Sequence, residues 1–252
     1  MKIIALYSIK GGVGKTATCV NLAYLAARGG TPTLLCDLDP QGAASFYFRI
    51  KASKKLSARK LLKGGPKIWE SLRGTDYDNL DLLPSNLSYR NLDIVLDARK
   101  KSRKRLKLVI APLAKEYEYL FLDCPPNITL LSENVFHSAD IVLVPMIPTT
   151  LSILTLEKLE RFFEKNSLPL GKLRPFFSMV EVRKRMHKSA IEALESSANR
   201  LLGSRIPYLS EVEKMGIHRA PLACFSPSSR ASKAFVELWK EVEQLLQTGG
   251  LK

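Results

Sequence analysis

A chain of 252 residues, 46% of them hydrophobic, can bury a sizeable core, and its formal net charge of +15 calls for a polyanionic partner such as nucleic acid or an anionic membrane. No apolar run reaches the roughly 18 residues that span a bilayer, and the short apolar stretch at Met1 to Ser8 is too brief for a signal peptide. Cys19, Cys36, Cys124 and Cys224 lack C-x-x-C or zinc spacing, so they read as mostly buried thiols of a reducing compartment, and the scattered His137, His187 and His218 as packing or surface residues.

In chain order the hydrophobic pattern alternates between strands and helices, with no internal repeat and no domain linker. Lys2 to Ser8 is a nearly continuous apolar run, as suits a strand buried on both faces. Gly14 to Arg28 follows as a helix stopped by Gly29 and Gly30, and Thr33 to Leu38 is a second buried strand. Arg49 to Arg73, rich in Lys and Arg and punctuated by Gly64-Gly65-Pro66, reads as a short helical excursion on the surface. Helices are expected at about Leu92 to Lys115, Leu130 to His137, Thr150 to Lys165, Lys188 to Leu202 and Arg230 to Gln247. Strands are expected at Tyr119 to Asp123, Ile141 to Pro145 and Phe176 to Val180. The alternation predicts one α/β domain over residues 1–252, with a mostly parallel twisted sheet and helices on both faces.

Lys10-Gly11-Gly12-Val13-Gly14-Lys15-Thr16 lies between the first strand and the first helix. Glycines there let successive N–H groups curl toward phosphate oxygens, and the helix start adds its positive dipole end. Lys15 can reach β- and γ-phosphates and the Thr16 hydroxyl can ligate Mg²⁺. A plain phosphate-binding loop would carry glycine at position 9; this chain has Ile9, and a second lysine, Lys10, before the double glycine. Asp37 and Asp39, in Asp37-Leu38-Asp39-Pro40-Gln41-Gly42, close the second strand, and Asp123 closes the third. A carboxylate ending an apolar strand calls for a cation, and hydrated Mg²⁺ beside a nucleotide is one. For Asp39 the bland alternative is a cap on the next helix.

These residues resemble the ParA/MinD family of deviant-Walker P-loop ATPases. The motifs KGGVGKT, DLDPQG and FLDCPP carry the resemblance, as does the C-terminal stretch from Ile206 to Val242; together they extend it from Lys2 to about Leu246. The DLDPQG form points to the ParA/Soj partition branch. The resemblance implies ATP and Mg²⁺ as cofactors, slow hydrolysis stimulated by a partner, and a homodimer when ATP is bound. It implies that Lys10 reaches the partner subunit's phosphates and that Lys10, Lys15 and Asp39 serve hydrolysis, with Asp39 orienting the attacking water. Gly11, Gly12, Val13, Gly14, Lys15, Thr16 and Ala17 would hold phosphates; Thr16, Asp37 and Asp123 would serve Mg²⁺; Met179 and Pro207 would flank adenine. Ala17 departs from the family's usual second threonine and removes a hydroxyl near the α-phosphate.

Basic residues cluster at Arg49 to Arg73, Arg99 to Lys107 and Lys172 to Lys188, with no helix-turn-helix, zinc finger or aromatic base-reading pattern. That combination predicts binding to DNA phosphates without sequence preference. By analogy with ParA-like relatives, Arg183, Lys184, Arg185, Lys188 and Arg219 are the candidate DNA contacts, with Arg99 to Lys107 as an alternative face. The resemblance also implies a cytoplasmic, nucleoid-associated location, a cargo such as a plasmid, chromosome or large assembly, and an adaptor protein on the cargo side. A MinD-like membrane regulator is the alternative. The last helix disfavours it, because its polar face mixes Lys233 and Lys240 with Glu237, Glu241 and Glu243. No membrane partner is therefore expected. A cluster-binding ATPase would need paired cysteines, and a non-hydrolysing scaffold would not need Lys10, Asp39 and Asp123 together.

Overall fold

Period-two burial organises the molecule. The computed structural model describes residues 1–51, 56–99, 102–196 and 200–249. Its strands are β1 (Lys2–Leu6), β2 (Thr33–Asp37), β3 (Arg73–Gly74), β4 (Leu80–Leu83), β5 (Tyr119–Asp123), β6 (Ile141–Met146), β7 (Leu173–Val180) and β8 (Arg205–Pro207). Among the described residues they form one eight-stranded sheet in the order β3-β4-β2-β5-β1-β6-β7-β8. All neighbours run parallel except β3 and β4 at one edge.

Alternate side chains of the central strands enter two separate cores. Ile3, Ala5, Leu34, Cys36, Leu120 and Leu122 face one layer, which holds Val135 and Phe136 of helix Leu130–Ser138 and Leu156, Leu159 and Phe163 of helix Thr150–Lys165. Ile4, Leu6, Leu35 and Phe121 face the other, against Val20, Leu22 and Ala23 of helix Lys15–Arg28 and Phe235 and Leu238 of helix Arg230–Thr248. Trp239 stands edge-on to Tyr119 at 5.2 Å and tilted to Phe121 at 5.8 Å. Both sheet faces are covered, which is why the strands read as continuous apolar runs.

The structure revises several expectations. β1 stops at Leu6, β6 and β7 are longer than expected, and β3, β4 and β8 were not anticipated. The helix expected from Leu92 to Lys115 is broken into Leu92–Asp97 and Arg105–Ile110, with 3-10 turns at Ser102–Lys104 and Ala111–Lys115. Asn134 fills the first break: it accepts from Leu106 N at 3.0 Å and donates to Ser102 O at 2.6 Å. Pro112, lacking an N–H, sits in the 3-10 turn. The basic excursion does contain helices, Ala58–Lys63 and Pro66–Trp69, but Leu56, Leu61, Leu62 and Ile68 are buried in the core, so it is a covering layer and not a surface appendage. Gly64 and Gly65 join its helices at φ +76° and +82°, a backbone open to glycine. The helix expected at Lys188 to Leu202 runs over Arg185–Glu195. Lys54, Lys55, Lys100, Lys101, residues 197–199 of the expected span and residues 250–252 lie outside the described residues.

Phe121 is fully buried on a central strand. Phe121→Ala is expected to lower unfolding free energy by about 3–5 kcal/mol in urea titration; a loss below about 1 kcal/mol would contradict its central place.

Candidate active site

The loop between β1 and helix Lys15–Arg28 turns on two glycines. Gly12 and Gly14 hold φ of +70° and +87°, a backbone that favours glycine, and a Cβ on Gly14 would also crowd Ser178 Oγ at 3.0 Å. The helix starts at Gly14 without a side-chain cap and with no acid in its first turn, so its leading N–H groups remain suited to an anion. Val13 is buried, contributing its backbone to the loop and its side chain to packing. Lys15 is also buried and folds back so that Nζ donates to Lys10 O at 2.9 Å. Burial lowers its pKa, opposed by Asp123, Cys124 and Asp39.

Strand register supplies the carboxylates. Asp123 ends β5 opposite Leu6 on one side and opposite Asp37 of β2 on the other. Both aspartates are buried. Asp37 Oδ2 accepts from Ser45 N at 2.8 Å and Ser45 Oγ at 2.7 Å, while its Oδ1 and both oxygens of Asp123 have no hydrogen-bond partner among the described residues. Burial raises the Asp37 pKa to about 6, against the lowering effect of the Ser45 bonds. For Asp123 burial and then the Asp37 carboxylate push it well up, with Thr16 and Lys15 opposing from beyond hydrogen-bond geometry.

Asp39 differs. Its Oδ1 accepts from Gln41 N at 2.9 Å, a local turn bond, and the following helix Ala43–Tyr47 begins at Gly42 without any side-chain cap, so Asp39 is not a helix cap. Ser85, in the loop after β4, donates from its N to Ser45 Oγ at 3.0 Å and from its Oγ to Asp39 O. One pair of serines thus ties the Asp37 carboxylate to the Asp39 loop.

Gly11, Gly12, Gly14, Lys15, Thr16, Ala17 and Asp39 border a cleft of about 520 Å³, closed opposite by Pro125, Pro126 and Asn127. A second cleft of about 210 Å³ adjoins it and includes Met179 and Pro207. Lys10 borders neither; it lines a crevice with Ile9, Val13, Val144 and Leu156. The arrangement joins anion-seeking N–H groups and a buried lysine to uncompensated carboxylate oxygens. A phosphate chain carrying a divalent cation satisfies both.

An AAA-domain family model matches residues 1–169. A ParA family protein of Chlamydia muridarum is 30% identical over 253 residues, covering 98% of this chain and 99% of that protein. The chain belongs to the ParA family. The sporulation initiation inhibitor protein Soj of Bacillus subtilis is 28% identical over 250 residues, covering 96% of this chain and 98% of Soj. A Borrelia burgdorferi structure, described as a plasmid partition protein bound to AMPPNP, superposes with a TM-score of 0.84 at 26% identity, covering 96% of this chain and 98% of that one. The cell division ATPase MinD of Pyrococcus furiosus shares the fold, with a TM-score of 0.78 at 23% identity, covering 97% of this chain and 99% of that one.

Within this ParA-family P-loop ATPase frame, the basic residues separate. Arg183, Arg185 and Lys188 are exposed around the start of helix Arg185–Glu195, whereas Lys184 pairs with Glu181. Arg219 is engaged elsewhere: its Nε donates to Phe46 O at 3.0 Å and its guanidinium stacks over the Phe46 ring at 4.6 Å. The run at Arg99 to Lys107 is partly structural, since Arg105 Nε donates to Leu62 O at 2.7 Å and Arg103 pairs with Glu133 at 3.1 Å. Of the cysteines, Cys224 alone is exposed. The apolar face of helix Arg230–Thr248 is buried against the sheet, and among the described residues no helix is long and apolar enough to cross a membrane. Ser45, Ser85 and Tyr47 are site residues that motif reading passed over; Ser45 and Tyr47 lie close after the aspartate motif, whereas nothing in the sequence pointed to Ser85.

The raised Asp37 pKa has a sign. Its stabilising share is complete below the unfolded value of 3.8 and is lost as pH rises through about 6. In nucleotide-free, magnesium-free protein, wild type should lose on the order of 3 kcal/mol relative to Asp37→Asn between about pH 4 and 7. Urea titrations across that range measure it; parallel curves would show that Asp37 titrates normally.

Proposed function

We propose that this chain is an ATP-hydrolysing dimerisation switch that binds nonspecific DNA when ATP-bound and positions a cargo. The observation that carries the reading is the pair of buried carboxylates, Asp37 with one oxygen and Asp123 with both oxygens lacking a hydrogen-bond partner among the described residues, beside a glycine loop with a buried lysine. The backbone of Gly11 to Ala17 and the Lys15 ammonium would hold the ATP phosphates, with adenine toward Met179 and Pro207. Thr16, Asp37 and Asp123 are the residues that would hold Mg²⁺, which when bound neutralises phosphate charge. Asp39, fixed by Gln41 N at the cleft border, is suited to orient water.

Lys10 supports the dimer reading. It lines a crevice apart from its own phosphate cleft, which suits action on the partner subunit's nucleotide. The fold likeness to an AMPPNP-bound Borrelia partition protein and the full-length likeness to Soj support the ATPase and partition readings. The net charge of +15 and the exposed Arg183, Arg185 and Lys188 support phosphate-backbone binding to DNA, with a cytoplasmic, nucleoid-associated location following from it. The buried apolar face of the last helix favours DNA over an anionic membrane. A cargo-side adaptor that stimulates slow turnover completes the proposal.

Lys10→Ala should bind ATP but fail to dimerise or hydrolyse it, and Asp39→Ala should accumulate an ATP-bound dimer. Light scattering and phosphate release test both. A monomeric Lys10→Ala that hydrolyses normally would remove the trans role, and unchanged turnover in Asp39→Ala would remove its role toward water.

DNA binding should require ATP and fall steeply with salt. With roughly six phosphate contacts, raising salt from about 50 to 200 mM should weaken affinity on the order of a thousandfold. Removing charge at Arg183, Arg185 and Lys188 should flatten that slope for all sequences alike. Equal affinity with and without ATP would remove the switch.

A further inference from the structure

The phosphate cleft and the adjoining cleft share four residues: Gly12, Gly14, Ala17 and Tyr47. Two are glycines and the third offers a methyl group. Tyr47 therefore brings the one polar side chain common to both. A nucleotide with its terminal phosphates near Lys15 and Thr16 and its base toward Met179 and Pro207 must carry its α-phosphate and ribose through this junction.

Tyr47 is half-buried at the end of helix Ala43–Tyr47. Burial and the neighbouring Asp123 carboxylate both raise its pKa, so at neutral pH the phenol is a hydrogen-bond donor. Its ring meets Phe46 edge-on at 6.0 Å. Phe46 is itself 49% exposed and would hold little by burial, but Arg219 grips both its carbonyl, at 3.0 Å, and its ring, at 4.6 Å. Arg219 sits in the left-handed region at φ +47°, a conformation that side-chain-bearing residues adopt when surrounding structure imposes it. That structure is anchored on the phosphate-loop helix: Asn21 donates to Met215 Sδ at 3.3 Å and accepts from Leu222 N at 2.8 Å, on either side of Arg219.

We infer that Tyr47 is a nucleotide contact whose hydroxyl donates to the α-phosphate of a nucleoside di- or triphosphate, and that Arg219, acting through Phe46, is the positioning residue that holds it there. The inference rests on the ATP-binding reading above. A phosphate oxygen accepts in any orientation, and a hydrogen bond to a charged acceptor is stronger than one to a ribose hydroxyl. It also gives Arg219 a role separate from the exposed cations near Arg185.

The test is calorimetric titration of the full chain with ATP and with ADP, in Mg²⁺ and without DNA. Tyr47→Phe keeps the ring and removes the hydroxyl. It should weaken ATP and ADP alike by about tenfold or more, raising KM for ATP with kcat at saturation little changed. Arg219→Ala should weaken both nucleotides several-fold in the absence of DNA. A smaller nucleotide-induced rise in melting temperature for both variants, from a starting melt like that of wild type, would separate lost contact from lost folding. Wild-type affinity for both nucleotides in Tyr47→Phe would overturn the contact. A loss confined to ATP would move the hydroxyl to the γ-phosphate and overturn the assignment. Unchanged nucleotide affinity with weakened DNA binding in Arg219→Ala would overturn the brace. If Lys15→Ala abolishes binding while Tyr47→Phe matches wild type, this inference fails alone; if wild type binds neither nucleotide, the ATP reading fails first.

Discussion

Two like carboxylates, side by side and buried without full hydrogen bonding, are the constraint around which this site is built. Parallel pairing of β2 with β5 puts Asp37 opposite Asp123, and pairing of β5 with β1 puts both at the edge where the glycine loop departs. Apolar residues fill the strands behind them, so water cannot screen the pair. Such an arrangement costs folding free energy as long as the oxygens have no cation. A ligand that brings a divalent cation relieves it, and the relief appears as added stability of the liganded state. The site thus trades stability of the empty protein for affinity.

The two lysines of the loop show how a short segment separates roles. Lys15 begins the helix, is buried, and donates to the carbonyl of Lys10. Lys10 lies before the two left-handed glycines and lines a different crevice, against Val144 and Leu156. The turns at Gly12 and Gly14 lie between them, so a short stretch of sequence buries one lysine at the phosphate cleft and places the other along a separate crevice. A side chain at Gly14 would be strained by its φ of +87° and would crowd Ser178 Oγ.

Much of this was legible in the sequence because the central strands are buried on both faces and their ends carry charge. β5 was read to the residue, and the motifs holding Lys15, Asp37 and Asp123 came together as their strand-end positions implied. What escaped detection lacked such a pattern. β3 has two residues and β8 three, too short for any period to show. The break between Leu92 and Lys115 depends on Asn134, more than twenty residues away in sequence, whose side chain replaces helical bonds. Ser45 and Ser85 act through hydrogen bonds that join a short helix to the end of β2 and to the loop after β4, and neither residue type is distinctive by itself.

Arg219 illustrates the limit most clearly, because its charge was legible in the sequence and its packing partner was not. Counting cations groups it with Arg183, Arg185 and Lys188, which stand exposed. Tertiary structure instead spends its guanidinium on Phe46. The five-residue helix that receives it directs three successive side chains to three tasks: Ser45 to the Asp37 carboxylate, Phe46 to Arg219, and Tyr47 to the junction of the two clefts. So short a helix has little stability of its own. Its geometry is held by those outside partners, which lie on β2 and on the segment tied to the phosphate-loop helix through Asn21. The carboxylate bond, the arginine contact and the cleft junction therefore share one short stretch of backbone, and each fixes part of its geometry.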